Sequence, residues 1–245
     1  MREEIFSLED NKRITKDVVL LTLKGNTSSI KGAGQFVNIK LKNQYLRRPI
    51  SIFNLEENKL QLLVKILGNG TLELSNLKKG EELSILIDLG NGFDLTRSKK
   101  PLLIGGGIGI APLYELGKEF NKLGIKPTFI FGFKNKDEIM MIEEYSKLGE
   151  VIITTDDGSY GYKGNPVNYL NDSNNHLDYD HYYACGPLIM LKFLTKDFKN
   201  GDVSLEARMG CGFGACMGCS IKTTNGFKRV CKEGPVFKAD EVIYE

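Results

Sequence analysis

The stretch Pro101–Gly124, "PLLIGGGIGIAPLYELGKEFNKLG", decides the fold. An apolar run ends in glycines, and a helical pattern of apolar residues begins directly after them. This reads as a strand, a tight turn and a helix. Glycines let a backbone approach a phosphate, and a helix N-terminus offers unpaired N–H groups and a favourable dipole. Pro112 suits a first helical turn, where no N–H is needed. The dinucleotide fingerprint G-x-G-x-x-G/A is not met, because the sixth residue counted from Gly105 is Ile110. On this stretch alone, a ligand-free strand–helix joint remains open.

Downstream the alternation continues. "PTFIFGF" reads as a strand, "KDEIMMIEEYSKL" as a helix, "EVIITT" and "HYYACG" as strands, and "PLIMLKFLTKDF" as a helix. Strands alternating with helices predict a parallel sheet with crossover helices over about 99–200. The loop "TTDDGSYGYKG" (Thr154–Gly164) and the turn "ACGP" (Ala184–Pro187) should then lie at the carboxyl edge of that sheet, where open α/β folds bind ligands. Gly105, Gly106, Gly107, Gly109, Cys185 and Gly186 are the candidate nucleotide contacts. A small buried cysteine at a turn explains "CGP" equally well.

Upstream, residues 1–98 read as β. The runs "DVVLLTLK", "QFVNIKL", "PISIFNL", "LQLLVKIL" and "EELSILIDL" are short and punctuated by Gly, Asn and Lys, which predicts an antiparallel β-barrel. Within it, "RRPISIF" places Arg48, a planar cation suited to a diphosphate, before Pro49 and Ser51. In "ILGNGTLELSNL", Gly70 and Thr71 could open a short helix. An Arg-Pro-x-Ser tetrapeptide by itself is usually just an edge strand.

From about 201 to 245, glycine and cysteine dominate. Four of the chain's five cysteines, Cys211, Cys216, Cys219 and Cys231, form C-x4-C-x2-C-x11-C. The first three match the plant-type [2Fe–2S] spacing. Two irons need four converging thiolates, and a glycine loop can wrap them tightly and aim N–H groups at sulfur. Structural zinc also takes four thiolates, although zinc ribbons usually present two C-x2-C knuckles and this chain has one. Cys185 stands outside the set.

Composition narrows the classes further. The chain has 245 residues, is 41% hydrophobic and 26% charged, and carries a net charge of +2, so no strong field favours nucleic acid or membrane. No apolar run approaches the ~20 residues of a membrane span, and "MREEIFSLEDNKRI" lacks a signal-peptide core. A cytoplasmic protein is expected, in which clustered cysteines hold metal rather than disulfides. His176 and His181 are expected at the surface.

The order Arg-Pro-x-Ser, Gly-x-Gly-Thr, "GGGIGIAP", "CGP" resembles the ferredoxin-reductase-like flavoproteins. With "CGFGACMGC" and "RVCKEGPVF" appended, the whole chain is similar to the electron-transfer subunits of type B dihydroorotate dehydrogenases. The resemblance implies an FAD-binding β-barrel (1–98), an NAD-binding α/β domain (99–200) and a C-terminal [2Fe–2S] module (201–245). It implies FAD contacts at Arg48, Pro49, Ile50, Ser51, Leu63, Val64, Lys65, Gly70 and Thr71. Lys65 departs from the arginine common there. The cluster ligands would be the four cysteines. The partner would be an FMN-containing catalytic subunit, two of each chain forming a heterotetramer in pyrimidine biosynthesis. Its electrons would pass through [2Fe–2S] and FAD to NAD+, with no catalytic acid or base demanded of this chain. Asp156 and Asp157 favour NAD over NADP, against Lys134 and Lys136. The loop with Phe213 and Met217 is expected to face the partner, and Phe237 to return toward the flavin. A simple C-terminal strand is the alternative for Phe237. Competing readings are an NAD(P)H–ferredoxin oxidoreductase or hydrogenase subunit, and a zinc-stabilised nucleotide-binding module or redox sensor.

Overall fold

A computed structural model describes residues 1–244. The chain opens with β1 (Arg2–Thr15), β2 (Val18–Lys24), β3 (Phe36–Ile39), β4 (Arg48–Ser51), β5 (Asn54–Glu56) and β6 (Lys59–Lys65). A short helix, α1 (Asn69–Ser75), precedes β7 (Glu82–Leu89). These strands form one antiparallel sheet in the order β4-β3-β7-β1-β2-β6-β5. It curls into a half-barrel, so that β4 comes beside β6. One face is buried: Phe6, Leu21, Val37, Leu62 and Ile85 fill the interior. β1 was not expected as a strand, because only Phe6 and Leu8 of its 14 residues are buried. It is held by pairing with β2 and β7 along its length, and an antiparallel sheet tolerates a wet face.

The second half follows as β8 (Pro101–Gly106), α2 (Ala111–Lys122), β9 (Thr128–Phe133), α3 (Ile142–Ser146), β10 (Glu150–Thr155), β11 (Tyr162–Lys163), α4 (Pro166–Asn171), β12 (His181–Cys185), α5 (Leu188–Asp197) and β13 (Gly201–Ser204). The expected helix over 136–148 is broken. A 3-10 turn covers Lys136–Glu138, and only Ile142–Ser146 is α-helical, because Met140 enters the core and Met141 turns the chain with φ 61°.

The tail supplies the hairpin β14 (Ser220–Thr223) and β15 (Gly226–Arg229), then β16 (Val236–Lys238). The second sheet runs β11-β10-β9-β8-β12-β13-β16, parallel except for β16. A boundary at residue 200 therefore separates β12 from its own parallel neighbour β13. Strand order reverses between β8 and β12, and ligands bind in the crevice at such a point. Among the described residues, no helix is long and apolar enough to cross a membrane.

Helix α2 locks the two halves together. Leu113, Leu116 and Phe120 recur on its buried face. Glu115 Oε2 accepts the Leu55 N–H at 2.8 Å and the Lys118 ammonium at 2.9 Å, while Lys118 also reaches Leu55 O at 3.0 Å. Glu119 Oε1 accepts the Ala33 N–H at 3.1 Å. Phe53 of the half-barrel stacks on Tyr114 with ring centres 4.5 Å apart.

Candidate functional site: two adjoining clefts and a four-thiol loop

The turn after β8 and the turn after β12 meet. Gly109 packs so closely on the β12 turn that a Cβ there would lie 2.4 Å from Cys185 O. Around this junction opens a cleft of about 800 Å³, walled by Gly106, Gly107, Gly109 and Gly186, by Lys134, Glu138 and Asp156, and by Leu188, Ile189 and Phe193 of α5. Of the candidate nucleotide contacts, Gly105 and Cys185 are not in this wall: Gly105 lies buried in β8 against Ile110 and Phe131, and Cys185 walls the second cleft. Nor is Asp157, whose Oδ1 accepts the Ser159 N–H at 2.9 Å within the loop. Lys136 is also outside, with its N–H given to Ser159 Oγ.

A second, narrower cleft of about 200 Å³ lies between the half-barrel and the same turns. Pro49, Ile50, Ser51, Leu63, Val64, Lys65, Thr71 and Cys185 wall it, joined by Phe36, Ser204, Leu205, Glu206, Met209 and Pro235. β4 is the edge of its sheet, so its outer backbone groups are free to meet a heterocycle, and Pro49 removes no ladder bond there. Arg48 and Gly70 stand just beyond this wall. The Arg48 side chain crosses Gly70, where a Cβ would lie 2.3 Å from its Nε, and donates to Gln44 Oε1 at 2.7 Å. Thr71 Oγ1 accepts the N–H groups of Leu67 at 2.8 Å and Gly68 at 3.2 Å, shaping the loop before α1. The apolar floor, the free strand edge and the cation beside α1 fit a flavin dinucleotide.

Phe237 does not face this cleft. It pairs with Val203 through β16 and is 2% exposed in the core beneath the sheet. The strand alternative is the one observed, and Pro235 reaches the cleft instead. His181 is likewise not at the surface: it is 4% exposed, with Nδ1 3.2 Å from Asn200 Oδ1 and Nε2 3.5 Å from Asp202, because β12 is flanked by strands on both sides. His176 is exposed. Glu206, Leu205 and Met209 escaped the sequence reading. The available signal was their position just after "DVS", a sixth parallel strand.

The cysteines stand in two pairs. The Ala215 N–H reaches Cys211 Sγ at 3.2 Å, the Cys216 N–H reaches it at 3.5 Å, and the Cys211 N–H reaches Cys216 Sγ at 3.5 Å. Cys219 Sγ and Cys231 Sγ are 3.3 Å apart. Burial pushes the Cys211 thiol up, but the N–H groups of Phe213, Cys216 and Ala215 outweigh it and bring it down to about 6. Burial, then contact with Cys219, pushes the Cys231 thiol up to about 12. One thiol pair lies within the glycine loop and the other joins Cys219 at its end to Cys231 beyond the β14–β15 hairpin, which offers four thiols to a binuclear iron cluster. Arg229 clasps the loop: Nη2 pairs with Glu233, Nε reaches Glu233 Oε2 at 3.0 Å, and Nη1 reaches Gly214 O at 2.5 Å.

The fold and these sites define an FAD- and NAD-linked oxidoreductase of the ferredoxin-reductase type with an added iron–sulfur domain. Residues 103–196 match the oxidoreductase NAD-binding domain, and residues 206–243 match the iron–sulfur cluster binding domain of dihydroorotate dehydrogenase B. A solved NADH-dependent reduced ferredoxin-NADP oxidoreductase superposes with a TM-score of 0.89 at 30% identity, over 98% of this chain and 90% of that one. The dihydroorotate dehydrogenase B (NAD+) electron-transfer subunit of Fusobacterium nucleatum is 42% identical over 100% of both chains. That of a Geobacillus species is 39% identical over 99% of each. The chain belongs to the family of electron-transfer subunits of NAD+-dependent dihydroorotate dehydrogenase B.

Proposed function

We propose that this chain carries electrons between an FMN-containing dihydroorotate dehydrogenase catalytic subunit and NAD+, in pyrimidine biosynthesis. One observation carries the reading: Lys65, Ile108, Gly109, Leu205 and Glu206 wall both clefts, so their occupants would meet at a shared boundary. The cluster loop begins at the same place. Met209 walls the flavin cleft and Cys211 follows two residues later, at most about 7 Å of extended chain. When bound, flavin exchanges hydride with a nicotinamide and single electrons with an iron–sulfur cluster.

The chain's residues bind and orient. Pro49 to Ser51, Leu63 to Lys65 and Thr71 hold FAD, with Arg48 and Gly70 at its phosphate end. Gly106, Gly107, Gly109 and Gly186 admit the nicotinamide nucleotide, and Cys185 stands beneath the junction. Cys211, Cys216, Cys219 and Cys231 hold a [2Fe–2S] cluster. Phe213 and Met217 are 41% and 53% exposed beside the thiols and form the face presented to the catalytic subunit. The assembly is a cytoplasmic heterotetramer of two subunits of each kind. Full-length identity to dihydroorotate dehydrogenase subunits, higher than to the ferredoxin-NADP oxidoreductase, favours this partner over a ferredoxin-linked one.

Co-expression with the dihydroorotate dehydrogenase catalytic chain from the same genome tests it. A co-purifying complex holding FMN, FAD and iron, which reduces NAD+ with dihydroorotate, is expected. A chain that ignores the catalytic subunit and instead reduces ferredoxin would overturn the reading.

A further inference from the structure

We propose that Asn38 is a positioning residue that seats the cluster loop on the flavin half and orients the Cys211–Gly212 peptide. The inference rests on the reading of Cys211 as a cluster ligand. All four residues of β3 are buried: Phe36, Val37 and Ile39 are apolar, and Asn38, 1% exposed, is the one amide among them. Asn38 Nδ2 donates to the carbonyl of Cys211 at 3.2 Å, across 173 residues of sequence. Its Oδ1 is buried with no partner among the described residues. A buried amide with an unused acceptor is costly where a leucine would pack freely. The packing of the half-barrel does not require it.

Its position explains the cost. Phe36 is two residues earlier on the same strand face and walls the flavin cleft. Asn38 therefore stands between that cleft and the thiol loop. The Arg47 guanidinium reaches the Asn38 carbonyl at 3.4 Å and Ser84 O at 3.1 Å, which braces this end of β3.

The contact also sets a direction. A trans peptide is planar, with its C=O and N–H pointing opposite ways. Holding the Cys211 carbonyl on the half-barrel turns the Gly212 N–H away from it. Gly212 has φ +78°, a left-handed conformation that suits glycine, and a Cβ there would stand 2.3 Å from Asn38 Nδ2. Asn38 and Gly212 thus form one joint that fixes a peptide dipole beside a ligating sulfur. N–H groups directed at an iron–sulfur cluster favour its reduced form and raise its potential. Loosening the joint lowers that potential and lengthens the step from flavin to cluster, while the nucleotide cleft is untouched.

The test replaces Asn38→Leu and Asn38→Ser in the holoprotein. It follows FAD content, bleaching of the flavin by NADH, the EPR spectrum and midpoint potential of the reduced cluster, and loss of iron to a chelator. Both variants should keep FAD and bleach at the parental rate. Their cluster should show altered g-values, a lower potential and iron loss roughly 10-fold faster. Should the leucine variant fail to fold, the serine variant decides alone, since its hydroxyl is too short to reach Cys211 O. Parental g-values, potential and iron retention in the folded variants would overturn the inference, and so would flavin bleaching slowed in step with the cluster. A parent protein without an iron–sulfur spectrum would instead overturn the reading on which it rests.

Discussion

Gly70 has no side chain where the Arg48 guanidinium crosses α1, and an added Cβ would stand 2.3 Å from Arg48 Nε. The two residues are 22 positions apart, yet each determines whether the other fits. Gly70→Ala should displace Arg48 from the phosphate end of the flavin cleft while leaving α1 helical. A charge-assisted contact of about 1.5–3 kcal/mol is lost, so FAD affinity should fall roughly 10- to 100-fold. Flavin fluorescence on dilution measures this directly. Arg48→Ala should reproduce the loss, and the double variant should add little to it.

Lys118 neutralises Glu115, a carboxylate whose side chain is 2% exposed between the two halves of the molecule. Removing the cation leaves a buried negative charge with only the Leu55 N–H as partner. Lys118→Ala should cost about 3–5 kcal/mol by thermal or urea unfolding. Lys118→Ala combined with Glu115→Gln should recover most of that loss.

Burial pushes the Glu119 carboxyl above its ordinary 4.5, against the opposing pull of the Ala33 N–H. Folding therefore favours the protonated form. The corresponding stability is fully present below pH 4.5 and is lost as pH rises through the raised folded value. Glu119→Gln retains an acceptor for the Ala33 N–H and carries no charge. At pH 7–8 it should melt no lower than the parent, and the difference should shrink or reverse toward pH 4. A variant that melts lower at pH 8 than at pH 5, relative to the parent, would contradict this.

Much of the fold was readable because its signals are local. The glycine turn after Ile104, the Arg48–Ser51 tetrapeptide and the spacing of Cys211, Cys216 and Cys219 each lie within a short stretch and report backbone or ligand chemistry directly. The features that stayed hidden depend on distant partners. β1 is too charged to look like a strand and is held by β2 and β7. β13 and β16 complete the second sheet from opposite ends of the cysteine loop, which hid Glu206 and sent Phe237 into the core. His181 is buried because β8 and β13 flank its strand. The link from Asn38 to Cys211 spans 173 residues, and no local pattern announces it.

Glu138 and Asp156 share the nucleotide cleft with Lys134. With Asp197, Glu206 and Lys65 also in its wall, four carboxylates stand against two ammoniums, which disfavours a 2′-phosphate. NADH should be the better reductant of the flavin, and Asp156→Asn should raise kcat/KM for NADPH roughly 5-fold or more with little change for NADH. Equal use of both nucleotides by the parent would remove Asp156 from this role.

One chain should connect a nicotinamide site to a [2Fe–2S] cluster through FAD. EPR spectroscopy of the anaerobic holoprotein, reduced with NADH rather than a chemical reductant, reads this connection out. A rhombic signal from a reduced [2Fe–2S] cluster is expected, rising with NADH and integrating in proportion to the bound FAD. A protein that binds zinc at the four cysteines, or whose cluster stays oxidised while NADH bleaches the flavin, would contradict it.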